Sequence, residues 1–141
     1  MTDEHFGACN CKAVRFKTCG PLREVVGCHC SQCRKQTGLC YAATNIALTG
    51  ITIEGKEMIT WYNASSFAQR GFCRICGSAL FWRRDGGDEI SIMAGAFDEP
   101  TGLQMSYHIY CDDKGDFYEI TDGLPQYEQG RPGLPTAGSS V

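Results

Sequence analysis

The sequence has no apolar stretch approaching the roughly 18 consecutive residues that a membrane-spanning helix requires, which excludes a helical membrane protein as a reading. Residues 1–20 hold no apolar core of signal-peptide length, only mixed residues after Met1-Thr2-Asp3-Glu4-His5. The ten cysteines therefore lack the setting of a secreted disulfide scaffold, and reduced thiols in a cytoplasmic protein are expected. There is no glycine-rich phosphate loop and no convincing helical period of any length. Basic residues form neither a run nor a dense stripe, which argues against nucleic acid as a partner.

With 141 residues and 43% hydrophobic content, the chain suits one compact domain, expected over residues 1–129. Residues 130–141 are rich in Gly, Pro and Ser and read as a flexible tail without chemistry. The net charge of −3 conceals an asymmetry: residues 1–84 carry 11 Lys+Arg and 5 Asp+Glu, residues 85–141 carry 2 and 11. A positive mouth for a small anionic ligand is one reading of this, and spatial mixing of the two halves is the plainer one.

Cysteine spacing carries the chemistry. Cys28-His29-Cys30-Ser31-Gln32-Cys33 places three thiols within six residues, a chelate for a soft divalent metal, most naturally zinc. Four more, Cys9-x-Cys11 and Cys73-x-x-Cys76, make a complete four-thiolate set by themselves. Two zincs are therefore expected, one in a closed structural shell and one whose three cysteines leave either a distant fourth protein ligand or an open, exchangeable position. In Cys9-x-Cys11 extended backbone would send the two side chains opposite ways, so the chain must turn there; Gly77 lets the second knuckle turn likewise. The Cys73-x-x-Cys76 pair could instead be redox-active, but no βαβ pattern surrounds it.

Between the knuckles the chain reads as short β-prone runs. These lie at 14–17, 22–26, 40–48, 51–53, 58–62, 66–68, 79–82, 89–94 and 107–110, with turn residues between them. Residues 34–38 read as one helical turn or a tight loop stopped by Gly38. The expectation is a mainly β domain of short antiparallel strands built around zinc knuckles.

At this point the motifs match a known family. Gly7-x-Cys9-x-Cys11-x-x-Val14-Arg15-Phe16, Cys28-His29-Cys30-Ser31-x-Cys33-Arg34 with Thr37-Gly38, and Phe72-Cys73-x-x-Cys76-Gly77-Ser78-x-Leu80 occur in this order. With His108-Ile109 and Ile120-x-Asp122-Gly123-Leu124-Pro125 at the end, the chain resembles the glutathione-dependent formaldehyde-activating enzyme (GFA) family, which shares its domain with centromere protein V. The resemblance implies a fold of β-tent type, a structural zinc on Cys9, Cys11, Cys73 and Cys76, and a catalytic zinc on Cys28, Cys30 and Cys33. It also implies a carbon–sulfur lyase that condenses a small thiol such as glutathione with an aldehyde to an S-hydroxymethyl adduct, or runs the reverse. Lys12 stands where the family usually has Gly, and Cys40 where it usually has a small or apolar residue. Cys40 reads as a small packing residue or as a fourth ligand, and Cys19 and Cys111 as packing residues.

An open position on a metal held by three thiolates suits thiol chemistry, because an incoming thiol can bind as thiolate and attack a carbonyl carbon. Arg15, Arg34, Arg70 and Arg74 are candidates to receive substrate carboxylates. His29 and His108 are acid–base candidates, although a histidine between two ligands more often points to solvent or satisfies the knuckle backbone. The rival class is a non-enzymatic zinc module that binds a protein or nucleic acid.

Overall fold

The structure, a computed structural model, describes residues 3–133. Most of the proposed tail, from residue 134 on, lies outside the described residues. Strand β2 (Arg15–Cys19) shows why the chain extends here: Phe16 and Thr18 turn inward while Arg15, Lys17 and Cys19 face solvent, the two-residue period of a half-buried strand. It is flanked antiparallel by β1 (Glu4–Ala8) and β5 (Ile51–Glu54) in a three-stranded sheet. Residues before Gly7 read in sequence only as a polar start and residues 7–11 as a strand end or knuckle, and pairing with β2 supplies the order that the polar start lacks. Cys19, expected to pack, is exposed because it falls on the outward phase of β2.

The larger sheet has seven strands in the order β10-β3-β4-β9-β8-β7-β6. These are β3 (Val25–Cys28), β4 (Tyr41–Ala47), β6 (Ile59–Asn63), β7 (Ala68–Cys73), β8 (Ala79–Arg84), β9 (Glu89–Met93) and β10 (Met105–Ile109). The mainly β expectation holds, and the pairings are antiparallel except that β10 runs parallel to β3. Two local readings shift. Residues 66–67 form a bend, and β7 starts only at Ala68 and carries the chain through Arg70-Gly71-Phe72 up to the knuckle. Helix α1 (Ser31–Thr37) starts inside the cysteine cluster, not after it, and ends at Gly38, whose φ of 88° and N–H bond to the Arg34 carbonyl close the last turn.

The two sheets share a core. Phe16 lies edge-on to Phe81 and Phe97, with ring centroids 5.8 and 5.1 Å apart, above Val14, Leu80, Ile90 and Ile92. Deleting a ring so placed typically costs about 3–5 kcal/mol. Gly7 is required by the same packing, since a Cβ there would come within 2.3 Å of the Phe16 ring. Cys9 and Cys73 belong to this cluster, whereas Cys28 and Cys33 sit in a second one with Val26, Tyr41, Ala43, Trp82, Tyr107 and Ile109.

Lys12 closes the turn between β1 and β2 with its N–H on the Cys9 carbonyl (3.1 Å) and a φ of 66°, in the left-handed region. A side chain there costs roughly 1–2 kcal/mol that glycine does not pay, partly offset by the greater freedom of glycine in the unfolded chain. Lys12→Gly is therefore expected to stabilise the fold by about 0.5–1 kcal/mol, read as a higher midpoint in thermal or denaturant unfolding; a lower midpoint would show that the lysine side chain supports the turn.

Candidate metal centres

The turn after β1 and the turn after β7 bring four thiols together. Cys9, Cys11, Cys73 and Cys76 have their sulfurs within 4.8 Å of one another. The Cys9–Cys11 and Cys11–Cys73 separations are both 3.7 Å, far longer than the roughly 2.05 Å of a disulfide. They match the edge of about 3.8 Å that follows for a tetrahedron with zinc–sulfur bonds of about 2.3 Å. Backbone amides point at the sulfurs: Val14 N–H donates to Cys9 at 3.3 Å and Ile75 N–H to Cys73 at 3.4 Å. Gly77, at φ 78°, returns its N–H to the Cys73 carbonyl at 2.8 Å. Ser78 ties the knuckles together, its hydroxyl lying 3.0 Å from the Asn10 amide and 3.1 Å from the Cys76 sulfur.

These contacts prepare part of the set for ionisation. The Ser78 hydroxyl and backbone, then the Cys11 backbone, hold the Cys76 thiol down to about 5. For Cys9, burial opposes ionisation, but the Val14 amide and the neighbouring thiols outweigh it. Cys11 goes the other way, to about 11: the Ala13 amide favours its thiolate, and desolvation with Cys76, Cys9 and Cys73 overrides that help. Four crowded thiols cannot all ionise alone, and the set fits a divalent cation, which would supply the missing charge.

The second cluster is Cys28, Cys30 and Cys33, again with sulfurs within 4.8 Å. Cys28 ends β3 and is fully buried, and Cys30 caps α1, its sulfur accepting the Cys33 N–H at 3.3 Å. No fourth Cys, His, Asp or Glu among the described residues completes this group. Cys30, Cys33 and burial all push the Cys28 thiol up. Cys28 helps Cys33 ionise, yet Cys30 and burial leave Cys33 at about 11. The donor set again fits a cation.

Two neighbours frame the second cluster. Arg70, on β7 and only 4% exposed, donates through Nη2 to the Cys33 sulfur at 3.2 Å and through Nε to Gln32 Oε1 at 2.9 Å. On the other side a ladder of hydrogen bonds runs outward. His29 Nδ1 meets the Tyr118 hydroxyl at 2.6 Å, His29 Nε2 meets His108 Nδ1 at 2.9 Å, and His108 Nε2 meets Asp122 Oδ2 at 2.7 Å. The bond to His108 depresses the Asp122 carboxyl below its ordinary value. An ionised Asp122 accepts only, so His108 donates from Nε2, His29 donates from Nε2, and Tyr118 donates to His29.

The family model described as "Glutathione-dependent formaldehyde-activating enzyme" matches residues 4–113. The chain belongs to the GFA family. A Schizosaccharomyces pombe protein named as an uncharacterized lyase is 28% identical over 120 residues, covering 84% of this chain and 87% of its own length. The crystal structure of a Rhodobacter sphaeroides protein superposes with a TM-score of 0.58 at 23% identity, covering 72% of this chain and 99% of that one, a likeness of fold.

Within this GFA chain the structure sorts the sequence candidates. All seven motif cysteines converge into the two expected groups, and Cys40, half-buried, belongs to neither. Of the four arginines only Arg70 reaches a cluster sulfur; Arg15 and Arg74 are exposed, and Arg34 bonds the Asp113 carbonyl. His29 is 1% exposed, so it does not point to solvent, and both nitrogens of both histidines are already engaged. Sequence reading missed Tyr118 and Gln32, and Ser78 was visible only as part of a family motif. Asp122 was visible only as part of the family's ending.

Burial, then the charges of His108 and Lys114, lowers His29 to about 4, well below its ordinary 6.5. Between these values the unfolded chain takes a proton that the folded chain refuses, so folding stability falls as pH drops from about 6.5 to 4. Unfolding midpoints measured across that window should fall less steeply for His29→Gln than for the parent. Parallel slopes would show that His29 takes its proton in the folded state as readily as in the unfolded one.

Proposed function

We propose that this GFA protein is a zinc-dependent carbon–sulfur lyase acting on the adduct of a small thiol and an aldehyde, of the S-hydroxymethylglutathione kind. The observation that carries the reading is the unequal pair of clusters: four converging thiols beside three that no fourth Cys, His, Asp or Glu joins among the described residues. Cys9, Cys11, Cys73 and Cys76 would hold a structural zinc, and Cys28, Cys30 and Cys33 the zinc at which substrate exchanges. When bound, the second zinc supplies Lewis acidity and an exchangeable coordination position. The family name and the lyase name of the yeast relative support an enzyme of this type.

In the condensation a sulfur–carbon bond forms at the carbonyl carbon while the thiol proton ends on the former carbonyl oxygen; the reverse restores both. The chain contributes position and charge. Cys28 and Cys33 are fixed by complete burial, and Cys30 by its cap on α1. The Tyr118–His29–His108–Asp122 ladder pins the ring of His29 between Cys28 and Cys30, so the knuckle backbone has one arrangement. His29 is neutral near pH 7 and serves as a spacer, not as the acid. The ladder ends at Asp122, from the acidic half of the sequence, while Arg70 is the cation at the Cys33 sulfur.

The test is exchange spectroscopy on labelled formaldehyde mixed with small thiols, glutathione first, with the zinc-loaded protein present at catalytic amounts. Faster interconversion of free and thiol-bound aldehyde is expected, and Cys30→Ser should abolish it while keeping the fold. Cys76→Ser should instead impair folding, because structural zinc is worth of order 10–16 kcal/mol in small zinc domains against roughly 5–15 kcal/mol for a whole domain. No acceleration with any thiol and aldehyde pair, together with a second zinc that no thiol displaces or joins, would favour a binding module.

A further inference from the structure

The side-chain ion pairs of Lys17 with Glu4 and of His108 with Asp122 do not involve Arg70. That leaves a guanidinium 4% exposed with no carboxylate partner, in the core beside three thiols. An arginine does not lose its proton to escape burial, so its counter-charge must lie elsewhere. Gln32 Oε1 is neutral, and the face of the buried Tyr41 ring, 5.0 Å from the guanidinium carbon, is only weakly negative. Nη1 is buried and meets no acceptor among the described residues. The remaining candidate anion is the Cys33 sulfur, 3.2 Å from Nη2.

Charge counting gives this pair a consequence. A divalent cation held by three thiolates carries one net negative charge, and an incoming thiolate would raise it to two in a poorly screened setting. A neutral ligand meets no such penalty. One buried positive charge on Cys33 cancels the first negative charge before the substrate arrives.

We propose that Arg70 is the specificity-determining residue that lets the three-cysteine site accept an anionic thiolate as its fourth ligand. This rests on the exchangeable site put forward above. Gln32 is part of the device, since it holds Nε without spending the charge, and through its amide on the Ala64 carbonyl at 2.8 Å it fixes the side chain that does so.

The full chain loaded with cobalt(II) provides a readout other than turnover, because a thiolate on cobalt gives a charge-transfer absorption that can be titrated. The probes are 2-mercaptoethanol, which binds as an anion, and imidazole, which binds neutral. Arg70→Met should weaken thiol binding by about tenfold or more while changing imidazole binding by less than about twofold. Gln32→Glu, nearly isosteric and half-buried, places a carboxylate against the guanidinium and should weaken thiol binding in the same selective way without removing a core side chain. If Arg70→Met does not fold, Gln32→Glu alone decides. Unchanged thiol affinity in the variants would overturn the proposal, and so would equal losses for thiol and imidazole, which mark a merely structural residue. If the parent binds no thiol at all, the exchangeable site itself fails, a result distinct from either.

Discussion

The four-thiol cluster joins parts of the chain that nothing local would bring together. Cys11 and Cys73 are 62 positions apart, one on the three-stranded sheet's turn and the other at the end of a strand of the seven-stranded sheet. Closing so long a loop is entropically unfavourable. The shared aromatic core of Phe16, Phe81 and Phe97 helps, but it grips the middles of the strands and leaves the turns to be fixed. Gly7, Lys12, Gly77 and Ser78 all serve those turns, by close approach, by left-handed backbone or by a hydroxyl between the knuckles. In the proposed reading this is why that metal is structural.

The second cluster has the opposite economy of chain. Its three cysteines span one short segment, so little long-range order depends on them, and the fold positions them by surrounding them with finished structure. β3 ends at Cys28, α1 starts after Cys30, β10 lies alongside with His108, and β7 sends Arg70 underneath. A buried cation at Cys33 and a buried, hydrogen-bonded histidine pair at the knuckle give the site two unlike walls. Ligand exchange at a site of this kind would leave the sheets undisturbed.

The two cysteine groups were legible because Cys-x-Cys, Cys-x-x-Cys and the Cys28–Cys33 run are local patterns with few chemical uses. The mainly β architecture was legible for a similar reason, since period-two runs such as 14–17 are dictated by burial on one face. What lay hidden was pairing between distant segments. The parallel placement of β10 beside β3 brings His108 to His29 across 79 positions, and no feature of either neighbourhood announces it. Arg70 stood among four arginines of equal merit in sequence, and only the register of β7 against β6 and β8 points it at Cys33. Lys12 hid a left-handed turn because the residue type argues against one.

The central claim is that this chain holds one sulfur-closed zinc and one zinc with three sulfurs and a place left over. X-ray absorption at the zinc edge of the two-zinc protein reads the ligand set directly. The account predicts a mean between three and four sulfurs per zinc at about 2.3 Å with a light atom at about 2.0–2.1 Å, rising toward four sulfurs when a small thiol is added. Four sulfurs per zinc before any thiol is added, or a single zinc per chain, would contradict it.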